Sequence, residues 1–445
     1  MIKRTVSIDF SHKMGKLKPI ASLSGGPLFD FDLSLDLSEQ YKSAGVRYIR
    51  VADGAQYPTG VIDVHEVFPD FALDEGMALS YNFKNADKLV LAAHGIGAGI
   101  FLRLGENCVH AAINKFNTPP VSPDKYARVL ERIIAHYNNG FAGGYKLGIK
   151  YVEISMSSDR MGGFSGSEQD FFELYRVCAG YIKSKMPRIK VGGYCSGGFR
   201  SLNHVDTGKE ERGYVPYLEN FLTYISNKST SAPLDFLSWQ MLADTPEELA
   251  LHSNYASSYL NHYGFKKTES IISEFNLSVT KRADGRTARE YPAYLAASLI
   301  TAAKSDIDML FIADTHPYAR YNGLYTLDDS KSFHPYAGYS VISSFGRLSG
   351  GSASIVQSGE DYRHELYSLA TEGEGCGYVL LATRGYDGTV EINLSGHAFT
   401  KYSILGILGG GERGVGFSTE AENIPLGERI VLRAGKHEVY LVSLS

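Results

Sequence analysis

Short apolar runs alternate with amphipathic stretches through most of the chain, and a strict in–out alternation replaces them near the C-terminus. Eight of the runs, at residues 20–23, 48–51, 98–102, 151–154, 190–193, 235–239, 271–274 and 309–312, have the length and composition of buried strands. Between them apolar positions recur at helical spacing. Tyr126, Val129, Leu130, Ile133, Ile134 and Tyr137 follow the cap-like Ser122-Pro-Asp, and Phe172, Tyr175, Val177, Ile182 and Met186 run up to Pro187. Residues 246–263 and 291–303 complete the helical set. Eight strand-then-helix units predict a parallel sheet closed into a (β/α)8 TIM barrel. An open doubly wound sheet is the alternative, but it needs a phosphate-binding glycine turn after its first strand, and Ser22-Leu-Ser-Gly-Gly-Pro is not one.

From about Ser352 the segments around Tyr378, Thr389, Tyr402, Ile430 and Glu438 alternate between Gly, Asp and Asn turns, which predicts a C-terminal antiparallel β-sandwich. Thr5-Val-Ser-Ile-Asp-Phe10 alternates too and is expected to add a strand to it. The expected division is 1–16 for that strand, 17–348 for the barrel and 349–445 for the sandwich. Gly409-Gly-Gly-Glu-Arg-Gly414 matches G-x-G-x-x-G formally, but it lies among short strands and reads as a loop.

Composition narrows the function. The net charge of −5 leaves no basic footprint, so nucleic acid is not an expected partner. No apolar run reaches the ~18 residues of a membrane span, and the first residues lack the apolar core of a signal peptide. Four scattered cysteines form no C-x-x-C pair, so a cytoplasmic protein with reduced thiols is expected. The 30 tyrosines and 22 phenylalanines against a single tryptophan suit either stacking on sugar rings or ordinary packing. There is no Walker loop, no H-E-x-x-H and no histidine cluster at the strand ends, so no cofactor or metal is expected.

In such a barrel the chemistry belongs at the C-terminal ends of the strands. The polar residues there are Arg50 and Asp53, Arg103 and Glu106, Ser157 and Asp159, Gln240, Glu274 and Asn276, and Asp314 and His316, with Glu153 inside the fourth strand. Glu274, ending a strand in Ser273-Glu-Phe-Asn276, is the carboxylate best placed in the mouth. A structural pairing of Glu274 with Arg50 or Arg103 is the competing reading.

The order and spacing of several short segments resemble glycoside hydrolase family 39, which includes β-xylosidases. These are Gly45-Val-Arg-Tyr-Ile-Arg50, Arg103-Leu-Gly, His136-Tyr-Asn, Val191-Gly-Gly, Asp235-Phe-Leu-Ser-Trp239 and Ser273-Glu-Phe-Asn276. The resemblance spans about residues 19–348. It implies a carbohydrate ligand and makes Glu274 the nucleophile of a double displacement. Departures gather where the sugar should sit. Ser155-Met-Ser157 replaces Trp-Asn-Glu and removes the general acid, Arg50-Val-Ala-Asp53 replaces Arg-x-His-Asp, and Ser238-Trp239-Gln240 replaces the Ser-x-His stretch. Loss of a general acid typically costs ~10²–10⁴ in rate. Glu106 and Asp159 are the expected substitutes. Arg50, Asp53, Arg103, Ser157, Trp239, Gln240, Asn276 and His316 are the expected substrate contacts. Three readings follow: a glycosidase with an altered acid, a non-catalytic carbohydrate-binding protein on the same fold, or a lyase or isomerase acting on a sugar. Oligomeric state is left open.

Overall fold

The computed structural model describes the chain apart from residues 1–2, 31–32, 53–61, 106–117, 155–157, 162, 279–287, 318–323, 331, 350–352, 361–364 and 409–415. Asp53, Glu106, Ser157 and the glycine-rich 409–414 segment therefore lie outside the described residues.

A long strand, β1 (Lys3–Lys16), opens the chain and leads to β2 (Ser22–Ser24), a two-strand ribbon of β3 (Leu28–Phe29) and β4 (Leu35–Asp36), and α1 (Ser38–Ser43). Then come β5 (Tyr48–Val51), α2 (Val64–Val67), α3 (Lys84–Gly95), β6 (Gly99–Leu104), α4 (Pro123–Asn138), β7 (Tyr151–Ile154), α5 (Glu168–Lys185) and β8 (Lys190–Ser196). The second half of this region carries α6 (Lys209–Ser226), β9 (Phe236–Ala243), α7 (Glu247–His262), β10 (Glu269–Leu277), α8 (Tyr291–Ala303) and β11 (Met309–Ile312). A ribbon of β12 (Tyr325–Leu327) and β13 (Phe333–Pro335) precedes α9 (Ala337–Leu348). Strands β2, β5, β6, β7, β8, β9, β10 and β11 close into the eight-stranded parallel barrel.

Local chemistry starts and stops these elements. Ser122 accepts the Lys125 amide at 3.2 Å with Pro123 in the first turn of α4. A reciprocal Ser167–Asp170 capping box begins α5, which ends before Pro187. Asn138 clamps both the amide and the carbonyl of Ile149, at 2.8 and 2.9 Å, and so sets the entry to β7. His136, stacked on Phe83 at 3.6 Å, binds Asp87 through Nε2 and the Phe141 carbonyl through Nδ1. The His-Tyr-Asn segment is thus a brace for a strand, remote from the barrel mouth. Helix α6 has no counterpart among the predicted helices, since Pro216 sits within it and breaks the pattern that would have announced it.

Strands β14 (Ser354–Glu360), β15 (Leu366–Gly373), β16 (Cys376–Thr383), β17 (Gly388–Ser395), β18 (Lys401–Ile407), β19 (Ser418–Pro425), β20 (Arg429–Ala434) and β21 (Glu438–Leu444) form, with β1, one nine-stranded sheet. It is antiparallel except where β1 runs parallel to β17, and β1 pairs β14 on its other side. One face of β15, β16 and β21 supplies Leu369, Leu380, Ala382, Val439 and Leu441 to the same core as the apolar helix α8. Glu247 of α7 binds Tyr367 and Arg384 across the junction, and Arg384 lies 4.7 Å over the Tyr294 ring. No helix among the described residues is long and apolar enough to cross a membrane.

Candidate active site

The barrel interior is layered. Phe101, Phe236, Ile271, Met309 and Phe311 fill it with apolar bulk low down, and one pleat higher the lining becomes polar, with Arg50, Glu153, Cys195, Ser238 and Ser273 all buried. Strict alternation along β10 would place Ile271 and Ser273 inward and aim Glu274 at the helix layer. A bulge prevents that. Ile272 pairs with Trp239 and Glu274 with Gln240, so Ser273 is an extra residue against β9. Ser273 then faces Cys195 (Oγ to Sγ 3.3 Å) while Glu274 also turns inward.

Arg50 fixes Glu274 from below. Its Nη1 donates to Glu274 at 3.0 Å, and its Nε and Nη2 donate to one oxygen of Glu153 at 3.0 and 2.6 Å. Ser24 accepts a further bond from Nη1 at 3.3 Å. Burial works against the guanidinium charge, but the carboxylates of Glu153 and Glu274 more than offset it and hold the group above its ordinary pKa. The side chains of Arg50 and Glu153 are 2% and 0% exposed, whereas that of Glu274 is 38% exposed. One carboxylate of this acid–base–acid stack is sealed and the other opens to solvent. Burial pushes the Cys195 thiol up to about 12, so it stays protonated beneath them. Gln240 Nε2 donates to its sulfur at 3.0 Å.

Above Glu274 lies a cleft of about 490 Å³, bordered by Arg160, Arg200, Tyr214, Gln240, Asn276 and Asp314 among others. Asn276 is held by bonds to the Ala313 carbonyl (3.3 Å) and the Leu277 amide (2.9 Å). His252 also borders the cleft and donates Nε2–H to Asn203 at 2.8 Å. Burial brings it down to about 4, so it is neutral near pH 7.

The structure thus brings Glu274, Gln240 and Asn276 together at the cleft, and it places four other expected residues away from it. Trp239 does not border the cleft: it is fully buried, its Nε1 bonded to Ser270 at 3.0 Å, because its neighbour Gln240 takes the inward position on β9. Arg50 lies under Glu274 and not in the cleft. His316 is buried against Phe29, with ring centroids 5.3 Å apart, and does not border this cleft. Asp159 turns its carboxylate into the wall beside Tyr194 and Tyr217, where one oxygen accepts the Gly197 amide at 2.7 Å and the other is buried. Burial is the main reason its pKa rises to about 6. It ties the loop after β7 to the end of β8. Arg103 is buried in register with Glu153.

Arg160, Arg200 and Tyr214 are cleft residues that carry no sequence motif. Arg160 and Arg200 sit on the connections after β7 and β8 and Tyr214 on α6, and they converge only through the fold. Among the described residues His204, Asp244 and Glu248 group closely enough to hold a metal ion. Their atoms are already engaged, however: His204 with Glu248 at 2.8 Å, Asp244 with Arg200 at 3.0 Å, and Glu248 with the Asp244 amide at 3.0 Å.

The parallel barrel with an appended β-sheet is a fold that recurs among solved glycoside hydrolases. A glucosidase from Croceicoccus marinus is similar over 100% of this chain and 99% of its own, with a TM-score of 0.77 at 21% identity. A GH39 β-xylosidase from Caulobacter crescentus (TM-score 0.68, 16% identity) and an α-L-arabinofuranosidase from Thermotoga maritima (0.69, 12%) each share 99% of both chains. At these identities the likeness is one of fold. No family model matches the sequence, and no curated protein matches it.

Proposed function

We propose that the protein is a glycoside hydrolase in which Glu274 attacks the anomeric carbon. The observation that carries this reading is the posture of Glu274. A strand bulge turns it into the mouth, a buried arginine orients it, and its carboxylate is the solvent-accessible end of an otherwise sealed ion stack. Arg50 supplies positive charge to the attacking oxygen's carboxylate and leaves the other oxygen free for the sugar. In a double displacement Glu274 forms a glycosyl ester as the leaving oxygen departs, and water then cleaves that ester. Asp159, with its carboxylate in the wall, positions the loop after β7, so the leaving group is not protonated by it. Good leaving groups are therefore the favoured substrates.

The test is a screen of aryl glycosides with activated leaving groups, with and without azide. A glycosyl azide of retained configuration, formed by the wild type and lost in Glu274→Ala, supports the assignment. Oligosaccharide binding without any turnover would point instead to a carbohydrate-binding protein on the same fold.

A further inference from the structure

Gln240 of β9 borders the cleft beside Glu274, since the two are register partners on neighbouring strands. Its amide is oriented by a chain of buried hydrogen bonds whose protons can be counted. Ser273 donates Oγ–H to the Trp239 carbonyl at 3.3 Å, so its oxygen is left to accept from the thiol of Cys195, 3.3 Å away. With its single proton given to Ser273, the Cys195 sulfur is left as an acceptor. It takes Nη2–H of Arg50 at 3.5 Å and Nε2–H of Gln240 at 3.0 Å. Turning the Gln240 amide over would set its carbonyl oxygen against the sulfur lone pairs with no proton between them. The NH2 end therefore points down into the barrel. Oε1, at the other end, has no hydrogen-bond partner among the described residues and is not buried. Cys195 is itself held firmly. Its amide donates to Ser238 Oγ at 2.9 Å, and its φ of 67° lies in the left-handed region, which a residue with a side chain adopts at a cost and which gathers at functional sites. Asn276 also borders the cleft, but it spends Nδ2 on the Ala313 carbonyl and Oδ1 on the Leu277 amide. Glu274 keeps one oxygen beyond the bond to Arg50. The cleft thus presents acceptor oxygens next to the nucleophile, and a hydroxyl that donates is what satisfies them.

We propose that Gln240 is a specificity-determining residue, its Oε1 accepting the proton of one hydroxyl of the sugar held at Glu274, and that Cys195 is the positioning residue that keeps the amide this way up. This rests on the hydrolase reading and states what its substrate must carry: a free hydroxyl at that carbon, where a deoxy, O-methyl or O-acyl sugar is disfavoured. It also gives a role to a buried thiol that takes no part in breaking the glycosidic bond.

The experiment uses the full chain with 2,4-dinitrophenyl β-glucoside, β-galactoside and β-xyloside, each beside its series of monodeoxy analogues. The quantity read is the ratio of kcat/KM for parent over deoxy sugar, compared between variants so that the deoxy sugars' own reactivity cancels. At one ring position that ratio should fall ~3–10-fold from wild type to Gln240→Met, the span of a neutral hydrogen bond, and stay level at the others. Cys195→Ala should lower the ratio at the same position. Cys195→Ser, whose hydroxyl still accepts from the amide and donates to Ser273, should keep most of it. Cys195→Ala/Gln240→Met should fall no further than Gln240→Met. A purely structural role for the cysteine would depress parent and deoxy sugars alike and leave the ratio where it was. Thermal melts confirm that each variant folds. A ratio that survives Gln240→Met at every position would overturn the assignment of Gln240, and one lost in Gln240→Met but kept in Cys195→Ala would overturn that of Cys195; neither touches the hydrolase. If none of these glycosides is cleaved, calorimetric binding of the same compounds tests Gln240 without the hydrolase. A preference in affinity for parent over deoxy sugar that disappears in Gln240→Met supports the assignment, and its absence overturns it.

Discussion

Replacing Arg50 by methionine isolates the role of the buried ion stack. Methionine keeps most of the side chain's length and removes its charge. Glu153, wholly buried, would lose both of the bonds that Arg50 Nε and Nη2 give it. Removing one partner of a buried pair leaves an uncompensated charge and costs about 3–5 kcal/mol. Replacing both partners costs far less, because no charge remains to be desolvated. The double variant Arg50→Met/Glu153→Gln should therefore be more stable than Arg50→Met alone by ~2–3 kcal/mol. Trp239, the one tryptophan and fully buried in the barrel wall, reports unfolding in urea by its fluorescence. Catalysis should not follow stability. The double variant still lacks the Nη1 contact to Glu274, so kcat/KM should stay as low as in Arg50→Met. A loss below about 1 kcal/mol in Arg50→Met, or a double variant whose cost is the plain sum of the singles, would refute the picture of a sealed, charge-balanced stack.

Three further outcomes are expected. Asp159 is held at about 6 against an ordinary 3.8, so the folded state binds this proton more tightly than the unfolded one. Stability from this group is then greatest below pH 4, falls as pH rises from 4 to 6 and is level above. The span corresponds to at most ~3 kcal/mol. Asp159→Asn should lose that dependence and melt higher than wild type at pH 8, with the two converging near pH 4; an unchanged pH profile would count against it. Trp239→Ala should cost about 3–5 kcal/mol through the cavity it opens, measured by circular dichroism in urea, and a mild loss would mean the ring is not a core element. Gly198 has φ 96°, and a Cβ there would come within 2.2 Å of the Gln240 carbonyl. Gly198→Ala should cost about 1–3 kcal/mol and lower kcat/KM by displacing Gln240, as steady-state kinetics would show.

Much of the barrel was legible because burial on both faces leaves a clear mark. Strands β5, β7 and β11 have the bounds their apolar runs predict, while β8, β9 and β10 run on to Ser196, Ala243 and Leu277. Those extensions carry the polar residues of the mouth, where hydrophobic patterning falls silent. Glu274 was recognisable as a strand-end acid in a family-like tetrapeptide. Arg160 and Arg200 were not, since each lies in a connection with no periodic or motif signal. The same limit applied to Trp239, whose place beside Gln240 made it look like a mouth residue.

The amino-acid order alone determined that eight buried strands alternate with helices, that an alternating-pattern module follows, and that a glutamate lies near the C-terminal end of the seventh barrel strand. Those properties are written in local periodicity, and they survive whatever the chain packs against. Only the tertiary structure decided which way that glutamate faces. One unpaired residue in the ladder, Ser273, reverses the alternation, and a strand's partner cannot be read from the strand itself. The fold likewise decided that Arg50 serves two acids at once and that Asp159 looks into the wall, because both depend on groups far apart in sequence.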